Sequence, residues 1–154
     1  MLRGWDTIRT LLADDDADDN MLFSEALREL PFDTRLTVIC NGDQLLKHLN
    51  EQVSYDLLFL DLNMPRKNGL QCLTEIKNSE KLKHLPVIIL TTTSDAKFID
   101  LLYKAGANRF IRKPNSYVEL KSLIWQAIIL LETVNTSPSR EQFVLKAQEP
   151  THVN

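Results

Sequence analysis

The sequence predicts an open α/β fold: a doubly wound, five-stranded parallel sheet with helices on both faces. Two observations carry this reading. Short apolar runs alternate with longer amphipathic stretches from Thr7 to Thr133, the pattern of strands joined by crossover helices. Three of the runs, IRTLLA, DLLFLD and VIILT, are nearly continuous in apolar residues, as strands covered on both faces must be.

The first strand is expected near Thr7–Ala13, its start blurred by Arg9 and Thr10. A helix follows near Asp18–Leu30, where Asp18 and Asp19 put negative charge at the positive end of the helix dipole. A strand at Arg35–Cys40, a helix at Gly42–Asn50, a strand at Leu57–Asp61, a helix at Leu70–Ser79 and a strand at Val87–Thr91 come next. The fourth helix, Ala96–Ala105, has Ser94-Asp95 to cap its start and Gly106 after its last turn. The fifth strand is placed at Arg109–Ile111. Pro114, Asn115 and Ser116 then open a last helix running to Thr133. Residues 1–134 are read as one domain and 135–154 as a polar, flexible tail. The alternative for the tail is docking through its one apolar cluster, Phe143, Val144 and Leu145.

Composition narrows the function classes. Of 154 residues, 44% are hydrophobic and 25% charged, with a net charge of −3, so no basic face invites nucleic acid. The longest strongly apolar run, Ala127–Leu131, is far short of the ~20 residues that cross a bilayer. The beginning, MLRGWDTIRTLL, has no leader-type apolar stretch, so a cytoplasmic protein without membrane contact is expected. Cys40 and Cys72 stand apart and read as reduced thiols. His48, His84 and His152 read as solvated surface.

Open α/β sheets bind ligands at the carboxyl ends of their strands. Here the first strand ends in Asp14, Asp15 and Asp16, the third in Asp61, the fourth in Thr91, Thr92 and Thr93, and the fifth runs into Lys113 and Pro114. Converging carboxylates repel one another unless a hard cation such as Mg²⁺ neutralises them. One carboxylate can then attack phosphorus, with an ammonium and a hydroxyl to stabilise the transferred group.

The segments LLADDDADD, LLFLDLNMPRKNGL, PVIILTTTSD and GANRFIRKP, in this order, resemble the bacterial two-component response-regulator receiver family over Thr7 to Leu131. The resemblance implies a flavodoxin-like strand order 2-1-3-4-5. It implies Asp61 as phosphoacceptor, with Mg²⁺ held by Asp14, Asp15, Asp61 and the backbone carbonyl of Asn63. Met64-Pro65 and Gly69 would shape the following loop, Thr91 and Lys113 would contact the phosphoryl group, and Phe110 would be the mobile aromatic of the switch. The Lys113–Pro114 bond is expected to be cis. The run ADDDADD is most similar to small single-domain regulators that partner phytochrome-type or hybrid histidine kinases. Asp16 matches a variable position, and Asp18 and Asp19 are expected to face solvent. Thr92 is bulkier than the residue usual there, and Asn115 departs from the usual Phe.

The function expected is therefore a phosphorylation switch, not an enzyme acting on other molecules. A sensor histidine kinase is the expected donor, and a downstream protein or a histidine phosphotransfer protein the recipient of the signal. Only about 20 residues follow the last helix, so output by protein contact is expected. Ile99, Tyr103, Val118, Leu123, Trp125 and Ile129 are candidates for a partner or homodimer face, since the last helix is apolar nearly all round. Three rivals compete. A dehalogenase-type aspartyl phosphatase needs an acid where Asn63 stands. A flavin-binding protein would not place carboxylates where its phosphate loop belongs. A phosphorylation-independent scaffold has no need of the full set Asp14, Asp15, Asp61, Thr91 and Lys113.

Overall fold

The computed structural model describes residues 7–51, 53–133 and 138–147. Strands β1 (Ile8–Ala13), β2 (Thr34–Ile39), β3 (Leu57–Leu60), β4 (Val87–Thr91) and β5 (Arg109–Arg112) alternate with α1 (Ala17–Arg28), α2 (Gly42–Leu49), α3 (Gly69–Asn78), α4 (Ala96–Lys104) and α5 (Tyr117–Ile129). All strand pairs are parallel, in the order β2-β1-β3-β4-β5. Each helix starts on a side chain that accepts an otherwise unpaired backbone N–H: Asp16, Asn41, Asn68, Asp95 and Ser116. The last helix is shorter than expected, giving way after Ile129 to a 3₁₀ turn, Leu130–Thr133.

Neighbouring side chains along each strand enter opposite cores, as strand geometry demands. Leu11, Leu58, Leu60, Ile89 and Phe110 pack with Leu45 of α2, Leu73 of α3 and Leu102 of α4. Leu12, Leu57, Phe59, Ile88, Leu90 and Ile111 pack with Phe23 and Leu27 of α1 and with Ile124 and Ile128 of α5. This two-sided burial explains why β3 and β4 are buried at every position. Among the described residues no helix is long and apolar enough to cross a membrane.

In the described part of the tail the apolar cluster is docked rather than free. Residues 138–147 pack on β5 and α4, with a short helix α6 (Arg140–Phe143) capped by Ser139. Val144 forms a parallel bridge with Phe110, the wholly buried Phe143 joins one core, and Leu145 joins the other. Phe143 ends α6 in one core, Val144 adds a single bridge to the open edge of β5, and Leu145 turns into the other core. β5 would otherwise expose an unpaired edge, which native sheets tend to cover.

The face proposed from sequence for a partner is correspondingly reduced. Ile99 and Leu123 are buried, and Tyr103 donates its hydroxyl to the Pro138 carbonyl at 2.8 Å. Val118, Trp125 and Ile129 stay exposed. His48 is half-buried and hydrogen-bonded to the Tyr55 hydroxyl rather than free on the surface. His152 and tail positions 135–137 and 148–154 lie outside the described residues.

Candidate functional site

The parallel topology gathers the carboxyl ends of β1, β3, β4 and β5 at one edge, and backbone bonds just past the strands hold the side chains there. The Asp14 N–H donates to Ile39 O at 3.0 Å and the Asp61 N–H to Ala13 O at 2.9 Å. The Lys113 N–H donates to Thr91 O at 2.7 Å, tying the ends of β4 and β5 together. Asn20 Nδ2 donates to the Asp14 carbonyl at 2.9 Å, so α1 braces the same point. Gly69 closes the loop after Asp61 by close approach: a Cβ there would lie 2.4 Å from Asp61 O.

Carboxylate oxygens of Asp14, Asp15 and Asp61 lie within 4.8 Å of one another. Asp14 and Asp61 are buried and Asp15 is exposed, so the cluster opens to solvent on one side. Lys113 Nζ sits 2.7 Å from Asp14 Oδ2, 2.8 Å from Asp19 Oδ2 and 3.6 Å from Asp61 Oδ2. Burial pushes the Asp14 carboxyl up to about 6, with the charge of Asp61 adding to the rise, against the opposing bonds from Lys113 and the Asp16 N–H. For Lys113, burial pulls downward, but Asp14 and Asp19 outweigh it and hold the ammonium above the usual lysine range.

One ammonium cannot neutralise this many acids. The oxygen-only donor set, partly open to water, fits a hard divalent cation that keeps several waters. Asn63 is exposed, and its N–H points at Asp61 Oδ1 from 3.4 Å. The Thr91 hydroxyl is wholly buried and has no hydrogen-bond partner among the described residues. A buried orphan hydroxyl is costly unless a ligand satisfies it. Phe110 is buried on the same face of the sheet, its ring 6.2 Å from that of Phe143.

Two expectations are corrected. The Lys113–Pro114 bond is trans, as are all peptide bonds among the described residues. Trans is the lower-energy isomer of an X–Pro bond, and Lys113 reaches its carboxylates from it. Asp19 does not simply face solvent but pairs with Lys113, whereas Asp18 is exposed. Sequence reading missed Asp19 and Asn20 as parts of the site. Asp19 lies in the first turn of α1, three residues after its N-cap Asp16, and that closeness to the acidic end of β1 was the available signal.

The chain matches the response regulator receiver domain over residues 10–125, and it belongs to that family, the receivers of two-component signalling. Over 120 residues it is 30% identical to the response regulator Rcp1 of Synechocystis sp., covering 74% of this chain and 82% of that protein. A probable chemotaxis protein CheY of Rhizobium etli is 31% identical over 117 residues, covering 76% and 89%. Among solved structures, the phosphorylated cyanobacterial phytochrome response regulator RcpA superposes with a TM-score of 0.77 at 26% identity, covering 87% of this chain and all of that one. The Mn²⁺-bound form of Rcp1 gives 0.71 at 31% identity, covering 86% and 99%. The chain is thus similar to small single-domain response regulators, phytochrome regulators among them.

Proposed function

We propose that this protein is a cytoplasmic response regulator that accepts a phosphoryl group on Asp61 from a sensor histidine kinase, with Mg²⁺, and signals by protein contact. One observation carries most of the reading: three carboxylates within 4.8 Å of one another share a sheet edge with the Lys113 ammonium. An Asp61 oxygen attacks phosphorus as the bond from phosphorus to the donor's imidazole nitrogen breaks, and the electron pair leaves on that nitrogen. Asp14, Asp15, Asp61 and the Asn63 carbonyl are the residues that would hold Mg²⁺, which when bound supplies positive charge to the phosphoryl oxygens. Lys113 supplies a second positive charge, and the Thr91 hydroxyl the hydrogen bond it does not make in this structure.

The signal requires two arrangements of the domain that the phosphoryl group distinguishes. Thr91 moving towards the phosphoryl group, with Phe110 following, is the proposed difference. A downstream protein or a histidine phosphotransfer protein would read it. The chemistry is performed on the protein itself, so no external substrate is turned over.

The test is intact-mass analysis after incubation with acetyl phosphate, comparing the native chain with Asp61→Asn. Gain of one phosphoryl group that needs Mg²⁺ and vanishes in the variant is the expected result. No gain, together with no binding of beryllofluoride, would overturn the proposal.

A further inference from the structure

The docked tail is the largest feature that the proposed chemistry does not use, and its anchors converge on Phe110. The Phe110 carbonyl accepts the Leu145 N–H at 2.8 Å, and its ring faces Phe143 at 6.2 Å. Phe143 is wholly buried, closed in from the α4 side by Tyr103 with ring centroids 5.2 Å apart. Arg109 Nη1 donates to the Gln142 carbonyl at 3.0 Å, and Arg140 Nε to Asp100 Oδ1 at 2.9 Å. These ties are to β5 and α4, and Gln126 Nε2 of α5 adds one to the Lys146 carbonyl at 3.0 Å.

Thr91 and Phe110 share a face. Ile89 pairs with Phe110 across β4 and β5, both belong to the same core, and Thr91 lies two residues after Ile89. The unpartnered Thr91 hydroxyl is thus diagonal to the ring that supports Phe143. We propose that residues 138–147 are a latch over the α4–β5 face, and that phosphorylation of Asp61 loosens it. The inference rests on the phosphoacceptor reading above. When Thr91 is drawn to the phosphoryl group it vacates space beside Phe110. A ring that moves into that space leaves Phe143 against a void and shifts the carbonyl that holds Leu145. Close-packed contacts do not stretch to follow, so the docked tail and the phosphorylated site disfavour each other. Release uncovers Tyr103 and the edge of β5, a face for a partner that the resting state keeps shut.

The coupling is reciprocal, which makes it measurable from both ends. In the full chain saturated with Mg²⁺ and beryllofluoride, amide exchange across residues 138–147 should speed up relative to the unliganded protein. In calorimetric titrations, Phe143→Ala should bind beryllofluoride more tightly than the native chain, within the roughly 5–150-fold span of such couplings. Arg140→Ala, which loosens the tail from outside the core, should move affinity in the same direction by less and serves if the first variant folds poorly. Binding of beryllofluoride with unchanged or slowed tail exchange would overturn the latch alone. No binding at all would overturn the phosphoacceptor reading and the latch with it.

Discussion

Asp14 holds the site's function in conflict with the fold's stability, and the conflict has a size. Its carboxyl is raised from 3.8 to about 6 by burial. Between these values the folded protein keeps a proton that the unfolded chain has released, so stability falls as pH rises through the window. At roughly 1.4 kcal/mol for each factor of ten, the loss reaches about 3 kcal/mol and is complete above the folded value. Asp14→Asn removes the titration. The amide loses one of the two contacts the carboxylate makes, to Lys113 or to the Asp16 N–H, and that loss is a constant offset across pH. The pH dependence of the difference therefore isolates the buried charge. Relative to the native chain, Asp14→Asn should gain up to about 3 kcal/mol between pH 4 and pH 7 in urea unfolding without metal.

Added Mg²⁺ should offset most of this difference at pH 7. A cation at about 100 times its Kd stabilises the native chain by roughly 2.7 kcal/mol and should leave Asp14→Asn unmoved. Stability curves that run parallel from pH 4 to pH 7 would refute the account of the raised carboxyl. A variant stabilised by Mg²⁺ as much as the native chain would refute the assignment of Asp14 to the cation.

Three further outcomes follow from the same geometry. Thr91→Val keeps the shape and removes a buried, unpartnered hydroxyl; thermal unfolding should show it about 1 kcal/mol more stable, while intact mass shows slower phosphoryl uptake. Gly69→Ala places a methyl 2.4 Å from Asp61 O, so it should cost a few kcal/mol in urea unfolding and weaken beryllofluoride binding by displacing Asp61. Lys77 donates to the carbonyls of Lys83 and Leu85 and to Asn108 Oδ1, with no carboxylate among these acceptors, and burial pulls its ammonium down to about 8. The unfolded chain holds the extra proton between about 8 and 10.5, so the native chain should gain up to about 3 kcal/mol on Lys77→Met as pH rises through that window; urea midpoints that stay in step would contradict it.

The parts of the molecule that could be read from residues alone share a property: each needs only local pattern and chain order. LLFLD and VIILT announce strands because burial on both faces leaves no polar position to interrupt them. Asp14, Asp61, Thr91 and Lys113 could be brought together because parallel strands must end at one edge, whatever their side chains do. Asp19 escaped because its role depends on how α1 is rotated about its axis, which places this carboxylate 2.8 Å from Lys113 while Asp18 points away.

The docking of the tail was legible only as an alternative, for a related reason. Its polar composition says that the segment cannot form a core of its own, and that remains true. Docking asks less: an aromatic for one core, an aliphatic side chain for the other and one bridging residue between them, set beside a sheet edge that lacks a partner. The cavity that takes Phe143 is built from Tyr103 and Phe110, residues read as partner face and switch, so the segment's affinity is a property of the domain rather than of the tail sequence. The same surface cannot hold the tail and receive another protein at once. Any partner for the α4–β5 face must therefore displace Phe143, and its affinity for this chain is lowered by whatever fraction of molecules keep the tail in place.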